Sequence, residues 1–215
     1  MKVSLLRYTP EPDNLNGLAA ALCTGYDGNP ERALAGAMAS GHESVLEHSS
    51  FTFLITGISR VTLAQLTRHR LASFSVQSQR YAGINNQDVI MPKSIAEDEQ
   101  LASDYADLVQ ASRKFYDHMT ELGGIPAEDA RYITPQGITT DLMMTMNARE
   151  LRHFFSLRMC NRAQWEIRKL ADEIYKLVTP IAPITFRYAG PGCVLDKCPE
   201  GKKCCGFPRK KELLG

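Results

Sequence analysis

The positions Leu101, Tyr105, Leu108, Ser112, Phe115, Met119 and Leu122 step along the chain by four and three. That spacing lays one stripe along an amphipathic helix of about six turns, and Gly123-Gly124-Ile125-Pro126 predicts where it stops. A second stripe, Ala163, Ile167, Leu170, Ile174 and Leu177, predicts the last long helix, which ends at Pro180 with Pro183 keeping the chain extended beyond it. Asn147 to Met159 reads as a further helix. Upstream, Asn29-Pro30 before Glu31-Arg32-Ala33-Leu34 is a helix start, with Asn as cap and Pro in the first turn, and Gly41 ends that helix. Ser44 to His48 predicts a short helical turn, and Ser59 to Arg70 a helix capped by Ser59, placing Arg68 and Arg70 in its last turn. Pro126 to Ile133 reads as a short helix before the turn Thr134-Pro135-Gln136-Gly137. Phe51 to Thr56 reads as a strand ending at Gly57, and Thr139 to Met146 as another. Helices outweigh strands and the two do not alternate regularly, which predicts an α+β fold and not a doubly wound sheet.

Length and composition narrow this picture only a little. A chain of 215 residues buries a full core as one domain, or as one domain with a small appendage. Hydrophobic content of 44% and charged content of 23% are ordinary for a globular protein. Apolar runs such as Phe51 to Ile55 are far too short to span a membrane. The start, Met1-Lys2-Val3-Ser4-Leu5-Leu6-Arg7, is interrupted too soon for a signal peptide, so the expected location is cytoplasmic. Four of the six cysteines, Cys193, Cys198, Cys204 and Cys205, crowd the end with spacing C-x4-C-x5-C-C. A disulfide framework is not expected in that setting. Paired C-x2-C motifs are absent and no histidine follows Cys160, so no metal is assigned. The expected division is a domain at 1–190 and a Cys-rich basic surface tail at 191–215.

Charge changes the picture more. The chain carries 25 basic and 24 acidic residues, yet no acidic residue lies between Glu47 and Asp88. That stretch holds Arg60, Arg68, Arg70 and Arg80, with His48 and His69 and no lysine. Stripping carboxylates from one segment while supplying guanidiniums builds an anion site, because the planar fork of arginine holds phosphate through two parallel hydrogen bonds. Hydroxyls and amides alternate with the arginines from Arg68 to Tyr81, which suits a phosphorylated small molecule better than a nucleic-acid backbone. The alternative, a non-catalytic nucleotide- or nucleic-acid-binding protein, calls in its nucleic-acid form for a basic domain with interleaved aromatics. A net charge of +1 and the single Trp165 argue against that form. A second donor row lies in Asn147-Ala148-Arg149-Glu150-Leu151-Arg152-His153, where Arg149, Arg152 and His153 share a helix face. Those donors suit a second phosphate or a ring edge, the competing reading being salt bridges of Arg152 and Arg162 to Glu150 and Glu166. The histidines of Gly41-His42-Glu43-Ser44-Val45-Leu46-Glu47-His48 stand six apart and not four, so the likeness to a zinc-protease motif is superficial and polar caps on a short helix explain them as well.

Arg68-His69-Arg70 followed by Ser73, Ser78 and Arg80-Tyr81 resembles the signature of the flavin-dependent thymidylate synthases. Gly41-His42-Glu43-Ser44, Glu47-His48, Phe51-Thr52-Phe53, Asn147-Ala148-Arg149, Leu157-Arg158 and Ala163-Gln164-Trp165-Glu166-Ile167 fall in that family's order. The resemblance runs over residues 17 to 187. It implies an α+β domain with a central mixed or antiparallel sheet and long helices, assembled as a homotetramer with active sites shared between subunits. The implied reaction is methylation of deoxyuridylate (dUMP) to thymidylate, with methylenetetrahydrofolate as carbon donor, NADPH as reductant and a bound FAD, releasing tetrahydrofolate. By motif position, FAD contacts are expected from Ser44, Arg68, His69, Arg70, Asn147, Arg149 and His153. The implied dUMP ligands are Gln65, Arg68, Ser78, Gln79, Arg80, Arg131 and Arg158, with Arg158 as the catalytic electrostatic group and Ser78 as a binding residue, since it has no evident adjacent base. Two positions depart from the pattern: Ser75-Val76 stands where many members have Asn-Glu, and Arg162 stands where some have histidine.

Overall fold

The structure is a computed structural model that describes residues 1–84, 87–194 and 198–209. Strand β1 (Lys2–Tyr8) is followed by helices α1 (Pro12–Thr24) and α2 (Pro30–Ala39), then a 3₁₀ turn at Glu43–His48. Next come β2 (Ser50–Ser59), α3 (Arg60–Leu66), β3 (Ala72–Val76), α4 (Lys93–Ala96) and α5 (Glu99–Asp117), which runs on as a π turn over His118–Leu122. Helix α6 (Ala127–Ala130), a 3₁₀ turn at Arg131–Ile133, β4 (Thr139–Asn147), α7 (Ala148–Arg158) and α8 (Trp165–Val178) complete the order. The strands form one antiparallel sheet in the order β1-β2-β4-β3, so the α+β expectation holds.

Local chemistry accounts for most of these boundaries. Asn29 Oδ1 accepts the Arg32 N–H at 3.0 Å and Asn147 Oδ1 accepts the Glu150 N–H at 2.8 Å, so both asparagines satisfy first-turn donors. Gln164 caps α8 through the N–H groups of Glu166 and Ile167, so that helix begins after Ala163. Helix α1 carried no such signal: its N-cap is Glu11, in the left-handed region at φ 46°, with no side-chain cap. Gly17 lets α1 approach α2, because a Cβ there would lie 2.3 Å from the Pro30 carbonyl oxygen.

Three expectations are corrected. Strand β2 does not end at Gly57 but passes through it at φ 69°, a conformation glycine supplies. The Gly57 N–H is taken by Asp141 Oδ1 at 2.8 Å. Helix α3 stops at Leu66, four residues short of Arg70, and a turn closed by the His69 N–H on the Leu66 carbonyl follows. Arg68 and Arg70 therefore flank a buried His69 outside any helix, and no helix dipole acts along their axis. The segment after Pro180 folds back in turns instead of extending, because the buried Asp13 carboxylate accepts the N–H groups of Ile184 and Thr185 at 2.8 and 2.9 Å. The described part of the tail is tied to the rest of its unit by hydrogen bonds. Asn161 donates to the Phe207 carbonyl at 2.6 Å, Arg162 to that of Lys203 at 2.8 Å, and Arg209 reaches both the Met159 carbonyl and Asp172.

The chain divides into two compact units, each with its own core. One comprises Met1–Lys2, Ile55–Gln65 and Ser75–Leu142, where Ile84, Tyr116, Ala130 and Ile138 are buried and Val89 and Met119 pack against them. Helix α5 buries only Tyr116 from its length; of its stripe Tyr105, Ser112 and the following Met119 are partly buried, while Leu101, Leu108 and Phe115 stay exposed, Leu108 at 70%. The other unit comprises Val3–Leu54, Leu66–Phe74 and Met143–Gly215. Phe51 and Phe155 meet Phe186, and Phe155 meets Tyr175, all edge to face with centroids 5.4–5.9 Å apart. Asn16 Nδ2 donates to the hydroxyls of Ser49 and Thr185 at 3.0 and 3.1 Å in the same core. No helix among the described residues is long and apolar enough to cross a membrane.

Candidate active site

In the second unit, Arg68, His69, Arg70 and Leu71 meet Glu150, His153, Leu157 and Arg158 of α7 around a cavity of ≈ 340 Å³. Its floor is a hydrogen-bonded chain. His69 is only 4% exposed and its Nδ1 lies 2.8 Å from Glu150 Oε1, itself buried. Arg158 Nε donates to His69 Nε2 at 3.1 Å. A carboxylate only accepts, so Nδ1 carries the proton and Nε2 offers its lone pair to the guanidinium. The ring also rests edge-on against Phe154 at 5.1 Å and His153 at 5.8 Å. Burial holds the His69 pKa below its ordinary 6.5, with Arg158 and His153 acting in the same direction against the opposing pull of Glu150. His69 is thereby a neutral imidazole at neutral pH. Burial, reinforced by the nearby Arg68, also lowers the pKa of Arg158. Donor atoms of His69, Glu150 and His153 lie within 4.8 Å of one another. Arg68, Arg70 and Arg158 line the same cavity, so a cation placed there meets three guanidiniums and an anion or electron-rich ring fits better.

The remaining residues expected around FAD distribute differently. Asn147 is occupied as the cap of α7, and Arg149 pairs with Glu47 across a half-exposed contact. Arg152 pairs with Glu43 at 2.9 Å and donates to the Thr185 carbonyl. It therefore takes neither Glu150 nor the cavity. Ser44 lines another cavity of ≈ 960 Å³ with Arg32, Tyr26, Ser40 and His42, between α1, α2 and the turn that follows.

Of the expected substrate residues, Arg68 and Arg158 belong to this unit, whereas Gln65, Ser78, Gln79, Arg80 and Arg131 belong to the other. There Arg80 Nε meets Glu128 Oε2 at 2.7 Å, and Arg131 Nε donates to the Glu128 carbonyl at 3.0 Å. Ser78 Oγ accepts the Arg80 N–H at 3.1 Å, as a turn-forming and not an activated hydroxyl. Gln65 Nε2 donates to the Val61 carbonyl one helical turn back, at 3.3 Å. The amide nitrogen of Gln79 is buried with no hydrogen-bond partner, and so is Nε of Arg60. Burial lowers the pKa of Arg60, and the neighbouring Arg131 lowers it further. Arg60 belongs to the carboxylate-free segment but received no role from the sequence.

A sequence model of the family described as "Thymidylate synthase complementing protein" matches residues 4–184. The chain is 46% identical over 219 residues to the flavin-dependent thymidylate synthase of Geobacter sulfurreducens, covering 96% of this chain and 94% of that one. It belongs to the flavin-dependent thymidylate synthase family. The Clostridium tetani synthase is 41% identical over 232 residues, covering 96% of this chain and 93% of that protein. The fold matches the crystal structure of a Helicobacter pylori flavin-dependent thymidylate synthase complexed with FAD and dUMP, with a TM-score of 0.71 at 24% identity, over 88% of this chain and all of that one. Family membership explains why arginine-rich donor sets occur in both units of this synthase. Glu150 is the residue that sequence reasoning treated only as a salt-bridge partner, and the signal it did offer was its place three residues after a helix-capping Asn147, which aims it from the first turn of α7.

Proposed function

We propose that this chain makes thymidylate from dUMP, with methylenetetrahydrofolate as carbon donor, NADPH as reductant and tetrahydrofolate as the released product. The observation that carries the reading is the Glu150–His69–Arg158 chain in a cavity lined by Arg68 and Arg70. FAD, when bound, supplies the hydride that completes the methyl group. Arg68, Arg70, Arg149 and His153 offer cationic or hydrogen-bonding groups to its phosphates and ring edge, with His69 shaping the floor and Asn147 and Ser44 contributing from α7 and the turn before β2. Arg149 exchanges its half-exposed partner Glu47 for the ligand at little cost, since such pairs are worth about 1 kcal/mol or less.

For dUMP, Arg80 and Arg131 neutralise phosphate, while Ser78, Gln79 and Gln65 hold phosphate and ribose, and Arg68 contributes a further guanidinium. Carbon C5 of uracil is a poor nucleophile until negative charge builds on the ring. Arg158, a guanidinium fixed at its Nε, stabilises that charge at the N3–O2 edge without reorganising as it forms. No enzyme nucleophile is needed, and the Ser78 hydroxyl is already engaged with the Arg80 N–H.

Assembly as a homotetramer with active sites completed between subunits belongs to the same reading. It is supported by exposed apolar residues of α5, since Leu101, Leu108 and Phe115 recur every seven residues along it. A synthase domain at 1–190 with a tail at 191–215 and a cytoplasmic location complete the proposal. The test is the visible spectrum of the purified protein before and after anaerobic NADPH with dUMP, followed by product chromatography. An oxidised-flavin spectrum that bleaches, with thymidylate appearing when methylenetetrahydrofolate is added, is the expected result. A colourless protein that takes up no FAD overturns the reading.

A further inference from the structure

We propose that Glu150 is a positioning residue for Arg158, acting through His69; this rests on the reading of Arg158 as the group that faces the uracil ring. The inference starts from two neighbouring buried groups. The side chains of His69 and Glu150 are 3% and 6% exposed, and a carboxylate this deep is retained only when it is hydrogen-bonded. Glu150 is fixed from its own backbone, because its N–H is held by Asn147 Oδ1 at the first turn of α7.

With Oε1 at 2.8 Å from Nδ1, the carboxylate selects the Nδ1–H tautomer of His69. The opposite tautomer would set an imidazole lone pair against a carboxylate on one side and an N–H against the Arg158 N–H on the other. Selected this way, Nε2 is an acceptor and holds Arg158 by Nε at 3.1 Å. A guanidinium is planar, so fixing Nε fixes the direction of both Nη groups. Glu150 and Arg158 lie eight residues apart on α7, a little over two helical turns, and His69 bridges that span from a different segment. The reach of the carboxylate is thus carried to the guanidinium through the imidazole.

This arrangement also gives a readout that a purely structural role does not. The charged and titratable groups facing His69 are Glu150, His153 and Arg158 from α7, with Arg68 and Arg70 on its own segment. Burial, Arg158 and His153 oppose a second proton on the ring; Glu150 alone favours it. A protonated His69 loses the lone pair that holds Arg158, so the acid limb of turnover reports the ring.

The experiment compares wild type with the isosteric Glu150→Gln and with Glu150→Asp. Nitrogen NMR of histidine-labelled protein reads the His69 tautomer without FAD, and kcat, KM for dUMP, bound flavin and the pH profile are read on the holoenzyme. The expected result is a single Nδ1–H tautomer in wild type that becomes mixed in Glu150→Gln. In that variant kcat should fall about 10- to 100-fold, as for a misplaced catalytic group. KM and bound flavin should hold, the acid limb should move to lower pH, and Glu150→Asp should recover part of kcat. An Nε2–H tautomer in wild type overturns the proposal, as does a Glu150→Gln enzyme with unchanged kcat and pH profile. If Glu150→Gln does not fold, the wild-type tautomer decides alone. Absence of thymidylate formation by wild type counts against the underlying reading of the site instead, because the tautomer is measured independently of turnover.

Discussion

The two arginine-bearing regions of this molecule solve the same electrostatic problem in opposite ways. Around His69, the guanidinium of Arg158 is held at Nε by a buried neutral ring that is itself held by a buried carboxylate. Around Glu128, Arg80 and Arg131 are held by one exposed carboxylate and by a backbone carbonyl, while Arg60 keeps a buried Nε with no partner. The first region holds its guanidinium through protein hydrogen bonds alone, which suits the role of stabilising transient charge that we propose for Arg158. The second places Arg60 beside Arg131, a like charge, and leaves the Arg80–Glu128 pair half exposed; under the proposed function it is the part that captures phosphate. The cost of placing guanidiniums falls differently: on buried hydrogen bonds in one region, and on a partly buried cation beside a like charge in the other.

The sharpest break of this contrast is Arg158→Ala. Steady-state assays should show kcat lowered by about 10²–10³-fold, the range for removing one preorganised donor, with FAD retained. If activity survives, the electrostatic role of Arg158 is wrong. On the capture side, Arg80→Ala should raise KM for dUMP by roughly 10-fold, the loss of about one charge-assisted hydrogen bond, with kcat nearly kept. An effect on kcat alone would erase the distinction between the regions. Arg60→Met removes a partly buried cation beside Arg131 but also its Nη2 bond to the Gln77 carbonyl at 3.0 Å, and its expected sign is slightly stabilising in denaturant melts. Loss of stability would show that Arg60 is satisfied structurally.

Acid should separate the regions as well. The His69 pKa is lowered on folding, so the unfolded chain binds this proton more readily than the native one. Its contribution to stability is therefore complete above the ordinary 6.5 and is lost as pH falls from there through the lowered native value. Melting temperature should fall as pH is lowered across that window in wild type, and fall less in His69→Gln. Smallest of all, Glu128→Gln should change stability by about 1 kcal/mol or less, because both partners of its ion pair with Arg80 are half exposed. It should lower KM for dUMP slightly by freeing Arg80.

Much of this was legible along the chain because it rests on near neighbours. Asn29 caps the helix it was expected to cap, Asn147 caps α7 where it was expected to begin it, and β4 and α8 follow from periods of two and 3.6. The carboxylate gap from Glu47 to Asp88 marked the arginines. Strand β1 and helix α1 were missed, since Glu11 is no usual cap and an edge strand of mixed polarity leaves little alternation to read.

What the sequence alone determined was chemistry: which segments bear guanidiniums, which helices are amphipathic and which family the motifs resemble. Those are properties of residue type and short spacing, set before the chain folds. Tertiary structure decided which donor meets which acceptor. Glu150 lies 81 residues from His69, and Arg158 lies 89. The end of α3 at Leu66 turns His69 inward and leaves Arg68 and Arg70 on either side of it. Whether a histidine is neutral, which nitrogen carries its proton and what that proton holds depend on burial and on partners brought from distant positions, and no local pattern encodes them.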